Sequence, residues 1–235
     1  MQLSRMLLQA MIGVLLASLA CLEAPSEEVV VKREDDSLCL RNELVELWFA
    51  VGEGRCAASR LVNKLADRAV SIRSDDFAIG IEGREPLRAA DFVFTKAQDE
   101  AAVGRRRLTL QFEGKTPGLR LDVVYELGND DFFLRRRLEL SMTQPLPLRQ
   151  VDVWLAGVEG ACLHQGFGEP VYLDDTFWGL EYPAGHNGFA DATITLRQFP
   201  GRTVANRFVS KTAVVGVAER GRVEQRFRQY VAPFR

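Results

Sequence analysis

The sequence predicts an all-β protein, a two-layer antiparallel sandwich closed by one short C-terminal helix. Three observations predict it. Apolar and polar residues alternate with a period of two over many short runs, clusters of Gly, Pro, Asn and Asp separate those runs, and helical spacing appears only in the last segment. A period of two buries one face of each strand, and two such faces packed together make a sandwich.

Taken in order, Val29, Val30 and Val31 open the domain ahead of a turn at Asp35, Asp36 and Ser37. Residues 44–51, with Trp48 and Phe49, form a strongly apolar strand ended by Gly52, Glu53 and Gly54. Residues 77–81 and 92–95 read as short strands between polar turns. From Arg107 the alternation is clear: Leu108, Leu110 and Phe112 share one face, Thr109 and Gln111 the other. Leu121, Val123, Tyr125 and Leu127 repeat the pattern against Asp122 and Glu126. The turn cluster at 128–131 then joins them to a long strand over 132–142, which makes a β-hairpin. Residues 150–156 give another strand, and residues 193–197 lead into a turn at Phe199, Pro200 and Gly201. A single further strand is expected over 208–218, closed by Glu219, Arg220 and Gly221. Val223, Phe227 and Tyr230 recur at i, i+4 and i+7, which predicts the terminal helix, stopped before Pro233. The total is about a dozen strands with no internal repeat.

The chain has 235 residues, 47% hydrophobic and 26% charged, with a net charge of −2, enough for one large domain with its own core. Near-neutral charge gives no electrostatic reason to expect nucleic acid. The runs Arg105–Arg106–Arg107 and Arg135–Arg136–Arg137 are expected on solvated strand faces, offset by acids elsewhere. At the N-terminus Arg5 precedes an almost wholly apolar run from Met6 to Leu19, and Ser18, Leu19 and Ala20 offer a cleavage pattern. This predicts an export signal over 1–20, a linker over 21–28 and a domain over 29–235, in the periplasm or outside the cell. Cys21 directly after Ala20 is a lipidation candidate, so membrane association is expected only through the signal region or a lipid anchor. Cys39, Cys56 and Cys162 show no Cys-x-x-Cys spacing, which argues against zinc; either a Cys39–Cys56 disulfide or buried free thiols would account for them.

The densest chemistry lies in residues 166–187, GFGEPVYLDDTFWGLEYPAGHN. Pro170, Pro183 and several glycines exclude one long helix or strand, so a loop with a short strand inside it is expected.

Five blocks carry a resemblance: LDVVYELGNDDFFLRRRLELSM, LRQVDVWL, GEPVYLDDTFWGLEYPAGHN, FPG and AVVGVAERGRVEQRFRQYV. Together they resemble the N-terminal β-supersandwich domain, of galactose-mutarotase-like fold, found in α-galactosidase-like glycoside hydrolases. The resemblance spans residues 121–230 in separate pieces, and FWGLEYPAGHN is its most distinctive part. It implies a domain that precedes a catalytic (β/α)8 barrel, with the nucleophile and acid/base carboxylates in that barrel. The expectation is therefore a non-catalytic, carbohydrate-associated accessory domain without its barrel, free of cofactor and metal. Its expected partners are a galactose-type glycan and a barrel domain or subunit.

Sugar binding without chemistry asks for aromatic faces and hydroxyl-binding polar groups. Asp174, Asp175, Trp178, Glu181, Tyr182 and Asn187 supply that combination. Trp178 and Phe177 equally suit a sandwich core. Glycoside hydrolysis needs two carboxyl groups facing one cleft; Asp175 with Glu181 could provide them, with His186 as proton donor. An epimerase, as the fold's namesake implies, would pair His186 or His164 with Glu181 or Glu169. The opposing expectation is that these acids end turns and cap backbone amides. A purely structural envelope domain is the third reading.

Overall fold

A computed structural model describes residues 28–164 and 168–234. The expected signal over 1–20, the lipidation candidate Cys21 and all of the linker except Glu28 lie outside the described residues.

Among the described residues nineteen strands and one α-helix follow in chain order. They are β1 (Val30–Glu34), β2 (Ser37–Arg41), β3 (Val45–Gly52), β4 (Arg55–Asn63), β5 (Arg68–Ile81), β6 (Leu87–Arg88), β7 (Phe92–Ala102), β8 (Arg105–Gly114), β9 (Leu119–Gly128) and β10 (Phe133–Met142). Then come β11 (Leu146–Val158), β12 (Cys162–His164), β13 (Val171–Leu173), β14 (Thr176–Leu180), β15 (His186–Ala190), β16 (Thr193–Gln198), β17 (Arg202–Val204), β18 (Arg207–Val209), β19 (Ala213–Val217) and the helix α1 (Val223–Val231). The first sheet runs β1-β2-β3-β4-β5-β11-β16-β15, with β6 on β5 and β17 on β11. The second runs β12-β13-β14-β19-β10-β9-β8-β7, with β18 on β10. The predicted two-layer antiparallel sandwich and short terminal helix are what forms.

The hairpin of β9 and β10 shows why. In register, Leu127 faces Leu134, Val123 faces Leu138 and Leu121 faces Leu140, and all six are buried in the core between the sheets. Such a face, some 25 cal/mol per Å² of apolar surface removed from water, drives the pairing of the layers. Tyr125 and Arg136 are the cross-strand pair at the same inner positions. Tyr125 packs edge-on against Phe49 and Trp154, and Trp154 against Trp178 at 5.0 Å between ring centroids.

Two asparagines tie the layers together. Asn42 accepts the backbone N–H groups of Leu44 and Val45 and donates to the carbonyls of Gly128, Asn129 and Asp131 across the sandwich. Asn63 accepts from Leu65 and Ala66 and donates to the carbonyls of Asp175 and Ala218. Each turns its own strand end and clamps a turn of the other sheet.

Three expectations change, and the open choice for the cysteines is decided. The strand expected over 77–81 is the second half of the fourteen-residue β5, whose residues 68–71 pair with β4 and whose remainder, from Ile72 on, pairs with β11. The single strand expected over 208–218 divides into β18 and β19, both on β10. Ser210 makes the break: its N–H donates to the Leu138 carbonyl and its hydroxyl accepts the Leu138 N–H, so β10 stays satisfied where the ladder stops. The arginine runs are not wholly solvated. A period of two points Arg135 and Arg137 outward and turns Arg136 into the core, where Nη1 donates to Asp76 Oδ1 at 2.9 Å. Finally, Cys39 and Cys56 are free buried thiols rather than a disulfide. Cys56 faces the core, whereas Cys39 sits between the core-facing Leu38 and Leu40 on the opposite face, with β3 in between.

The outer face of the second sheet carries the ion pairs that the charge pattern implied. Glu126 accepts from Arg107 and Arg137, and Glu139 from Arg137 and Arg207, at distances of 2.7–3.1 Å.

Candidate functional site

The stretch expected to be a loop is mostly a buried hairpin. β13 and β14 pair with Leu173 opposite Thr176, so Asp174 and Asp175 form the two-residue connection. Asp174 takes a left-handed conformation with φ of 47°, which aspartate tolerates better than most residues. Every residue of β14 is buried. Phe177 and Trp178 therefore point to opposite faces, and each is enclosed. Phe177 lies on Gly216, its cross-strand partner in β19, where any side chain would occupy the phenyl ring. Over it sits α1, with Phe227 and Tyr230 in edge or tilted contact. Trp178 points inward with 0% exposure, packs on Trp154 and donates from Nε1 to Thr176 Oγ1 at 2.9 Å.

The six sugar-binding candidates therefore separate. Trp178 is a core residue and offers no face for stacking. Asp175 is buried: Oδ1 accepts the Gly221 N–H at 2.8 Å, Oδ2 pairs with Arg68, and its carbonyl accepts from Asn63 and Ala218. Asp174 stands beside Arg68 in the same turn. Asp175 ties the hairpin connection to the segment that leads into α1, the cap-and-turn role, while Asp174 shapes the turn itself.

Glu181, Tyr182 and Asn187 do come together. They line an open groove of about 460 Å³ beside α1, with Leu180, Pro183 and Phe227 among its walls. Glu181 accepts from Arg135 Nε at 2.6 Å and from the Tyr230 hydroxyl. Burial, reinforced by that carboxylate, pushes the Tyr230 phenol well up, which keeps it a donor. Asn187 donates to the Glu169 carbonyl at 3.1 Å and accepts the Leu180 N–H at 3.0 Å. Tyr182 is 36% exposed, with Lys211 Nζ 4.7 Å from its ring centroid. The groove thus presents the exposed ring of Tyr182 amid apolar walls, while Glu181, Asn187 and Tyr230 are already engaged with the protein.

His186 stands elsewhere. It lies on β15 in the first sheet opposite Arg197, whose guanidinium grips Asp152, whereas Glu181 is bound to the second sheet and α1. Glu181 and His186 thus belong to different sheets. The geometry does not pair Asp175, held at the α1 end, with Glu181 across one cleft. His164 ends β12 beside Val171, and Glu169 is exposed near the groove. Among the described residues no group of three His, Cys, Asp or Glu side chains converges to hold a metal. No helix among them is long and apolar enough to cross a membrane.

Arg135, Lys211 and Tyr230 complete the site without having been singled out from the sequence. Arg135 could have been found from its outward position in the alternation, and Tyr230 from the helical stripe. Lys211 carries no local signal.

No family model matches the sequence, and no curated protein does. Solved structures do. A GH36 α-galactosidase from Geobacillus stearothermophilus superposes with a TM-score of 0.58 and 8% identity, over 82% of this chain and 41% of that one. An α-galactosidase from Lactobacillus brevis gives 0.58 and 8%, over 83% and 41%. The galactosidase domain of the α-galactosidase–sucrose kinase AgaSK gives 0.56 and 9%, over 82% and 42%. The chain has the fold of a part of these enzymes and spans about two fifths of their length, as expected of the β-supersandwich taken without the barrel.

Proposed function

We propose that this chain is a non-catalytic, carbohydrate-associated accessory domain, and that its groove beside α1 is the surface that meets a sugar. The observation that carries the reading is the state of the acids. Asp175 and Glu181 each hold backbone or side-chain partners of the protein's own, so these two carboxyl groups are not poised across one cleft as glycoside hydrolysis requires. The likeness in fold to part of the GH36 α-galactosidases supports the link to carbohydrate and to a partner bearing a catalytic barrel. Tyr182 supplies the stacking face, and with few free polar side chains around it binding is weak, with Kd on the order of 1 mM. The apolar run before Ala20 supports export from the cytoplasm, with Cys21 as an acylation point.

Titration calorimetry of the purified chain with galactose, N-acetylgalactosamine and α-linked galactosides, beside an aryl-α-galactoside turnover assay, tests the proposal. Weak binding that Tyr182→Ala abolishes, with no turnover, is the expected result. Turnover lost in Glu181→Gln or His186→Ala would make the chain a small sugar-active enzyme. Silence in both assays would leave a structural domain and end the sugar reading.

A further inference from the structure

Four buried hydrogen-bond donors lie together at the centre of the sandwich, beside Asp76 Oδ2, a buried acceptor that none of them reaches. Arg136 is fully buried and gives Nη1 to Asp76, but its Nε and Nη2 have no hydrogen-bond partner. These two N–H groups form the parallel edge of the guanidinium, the same edge with which Arg197 grips Asp152 in this chain. Trp154 Nε1 and Tyr125 Oη are likewise buried without a partner. The groups are neighbours: the guanidinium carbon lies 4.8 Å from the Trp154 ring centroid and 5.4 Å from that of Tyr125. Contact with the ring faces attenuates the charge but gives the in-plane N–H bonds no lone pair.

Leaving a buried donor unsatisfied costs about 1–3 kcal/mol, more for a charged group. Four of them together would consume much of the roughly 5–15 kcal/mol by which a domain is stable. Interiors meet such a demand with ordered water, each molecule making about three hydrogen bonds. The adjoining wall is irregular. Asp76 sits mid-strand in the left-handed region with φ of 62°, and the β5–β11 ladder shifts register on both sides of its partner Leu155. Interrupted ladders of this kind bend the strand locally and break the regular pairing beside these donors.

Charge selects the class of ligand. Arg136 already has a carboxylate in Asp76, so a second anion would add an unbalanced buried charge. A neutral acceptor fits. One water accepts two hydrogen bonds, so four donors call for two. We propose that Arg136 Nε and Nη2, Trp154 Nε1 and Tyr125 Oη hold a pair of ordered water molecules between the two sheets. The waters accept these four bonds and connect β9 and β10 to β11 through the core.

A crystal structure at a resolution that shows solvent, from crystals soaked in bromide, tests this directly. Two solvent peaks within about 2.7–3.2 Å of these donors, without anomalous signal, are expected. An anomalous bromide peak at the Arg136 edge would make the site an anion site. Protein atoms filling that edge with no solvent peak would make it dry, and either result overturns the proposal. In solution, oxygen-17 relaxation dispersion counts long-lived internal waters. Tyr125→Phe keeps the ring and removes the hydroxyl, so it should lose at least one such water; an unchanged count speaks against the site.

Discussion

Arg136 illustrates how much one residue can change in meaning between sequence and fold. In the text of the chain it is the middle of a basic triplet; in space it is a guanidinium with 0% exposure, bound to Asp76 across the sandwich. Burial pushes the Asp76 carboxyl up while Arg136 pulls it down. Removing one partner strands the other charge, so Asp76→Ala should cost about 3–5 kcal/mol in urea unfolding. Arg136→Met combined with Asp76→Leu should restore most of that loss, and a double variant as unstable as the single one would show that the charges themselves are needed. Trp178 teaches a similar lesson. Trp178→Ala should cost about 3–5 kcal/mol by opening a cavity against Trp154, a loss of stability rather than of affinity. The cysteines give a third test at this scale. Burial holds the Cys39 and Cys56 thiols up at about 12. Alkylation of the native chain at pH 8 should spare both and label the half-buried Cys162 first; rapid labelling of Cys39 or Cys56 would contradict the packing described. None of this was legible from residue type alone, because Trp, Arg and Cys each suit a core and a surface, and only the phase of the alternation decides.

At the scale of the element, that phase was legible wherever a strand was long and its partner near. The run from Leu108 to Met142 announced β8, β9 and β10 because each buries one face against its immediate neighbour in sequence. The first half of β5 did not, since its segment mixes Arg68, Ser71 and Arg73 with apolar residues and finds its partners from β4 and the distant β11. The division between β18 and β19 rests on one hydroxyl, Ser210, which no periodicity reveals. The ion-paired outer face of the second sheet leads to a pH prediction. Burial pushes the Glu126 and Glu139 carboxyls up, but bonds from Arg107, Arg137 and Arg207 outweigh it and hold both below their ordinary 4.5. A carboxyl lowered on folding stabilises the protein fully above its unfolded value, and that contribution disappears as pH falls through the folded value. Stability should therefore be flat from these groups above about pH 5 and fall in acid. Glu126→Gln with Glu139→Gln should flatten the acid limb of a denaturation series. Asp122 on the same face works in the opposite sense, since burial and then Glu139 raise its carboxyl. The terminal helix, read from its i, i+4, i+7 stripe, proves to be a wall of the groove. Tyr230→Phe, which releases Glu181 from one of its bonds, should cost about 1 kcal/mol while leaving Phe227 on Phe177.

For the molecule as a whole, composition and period sufficed for the architecture, and the spacing of residues 166–187 sufficed to find the neighbourhood of the groove. What the sequence could not disclose was which strands cross between distant segments. β5 joins β11 across more than sixty residues, and β14, which carries Trp178 and leads to Glu181 and Tyr182, finds its partner in the later β19. Long-range antiparallel pairing of this kind carries a high loop-closure cost and a slow approach to the native state.

The way Asn187 is held has a consequence for how the molecule ages. Asn187 precedes Gly188, the sequence context in which an asparagine most readily loses ammonia when the next backbone nitrogen attacks its amide. In the fold both ends of that amide are occupied, and Gly188 lies within β15 opposite Thr195, so the attacking geometry is out of reach. Deamidation at this position therefore becomes a clock that advances only while the chain is open. Its rate by mass spectrometry, followed through the destabilised variants above, should rise in proportion to their unfolded fraction. Each event replaces the donor to Glu169 with a negative charge and leaves an irreversible chemical record of past unfolding in the wall of the groove.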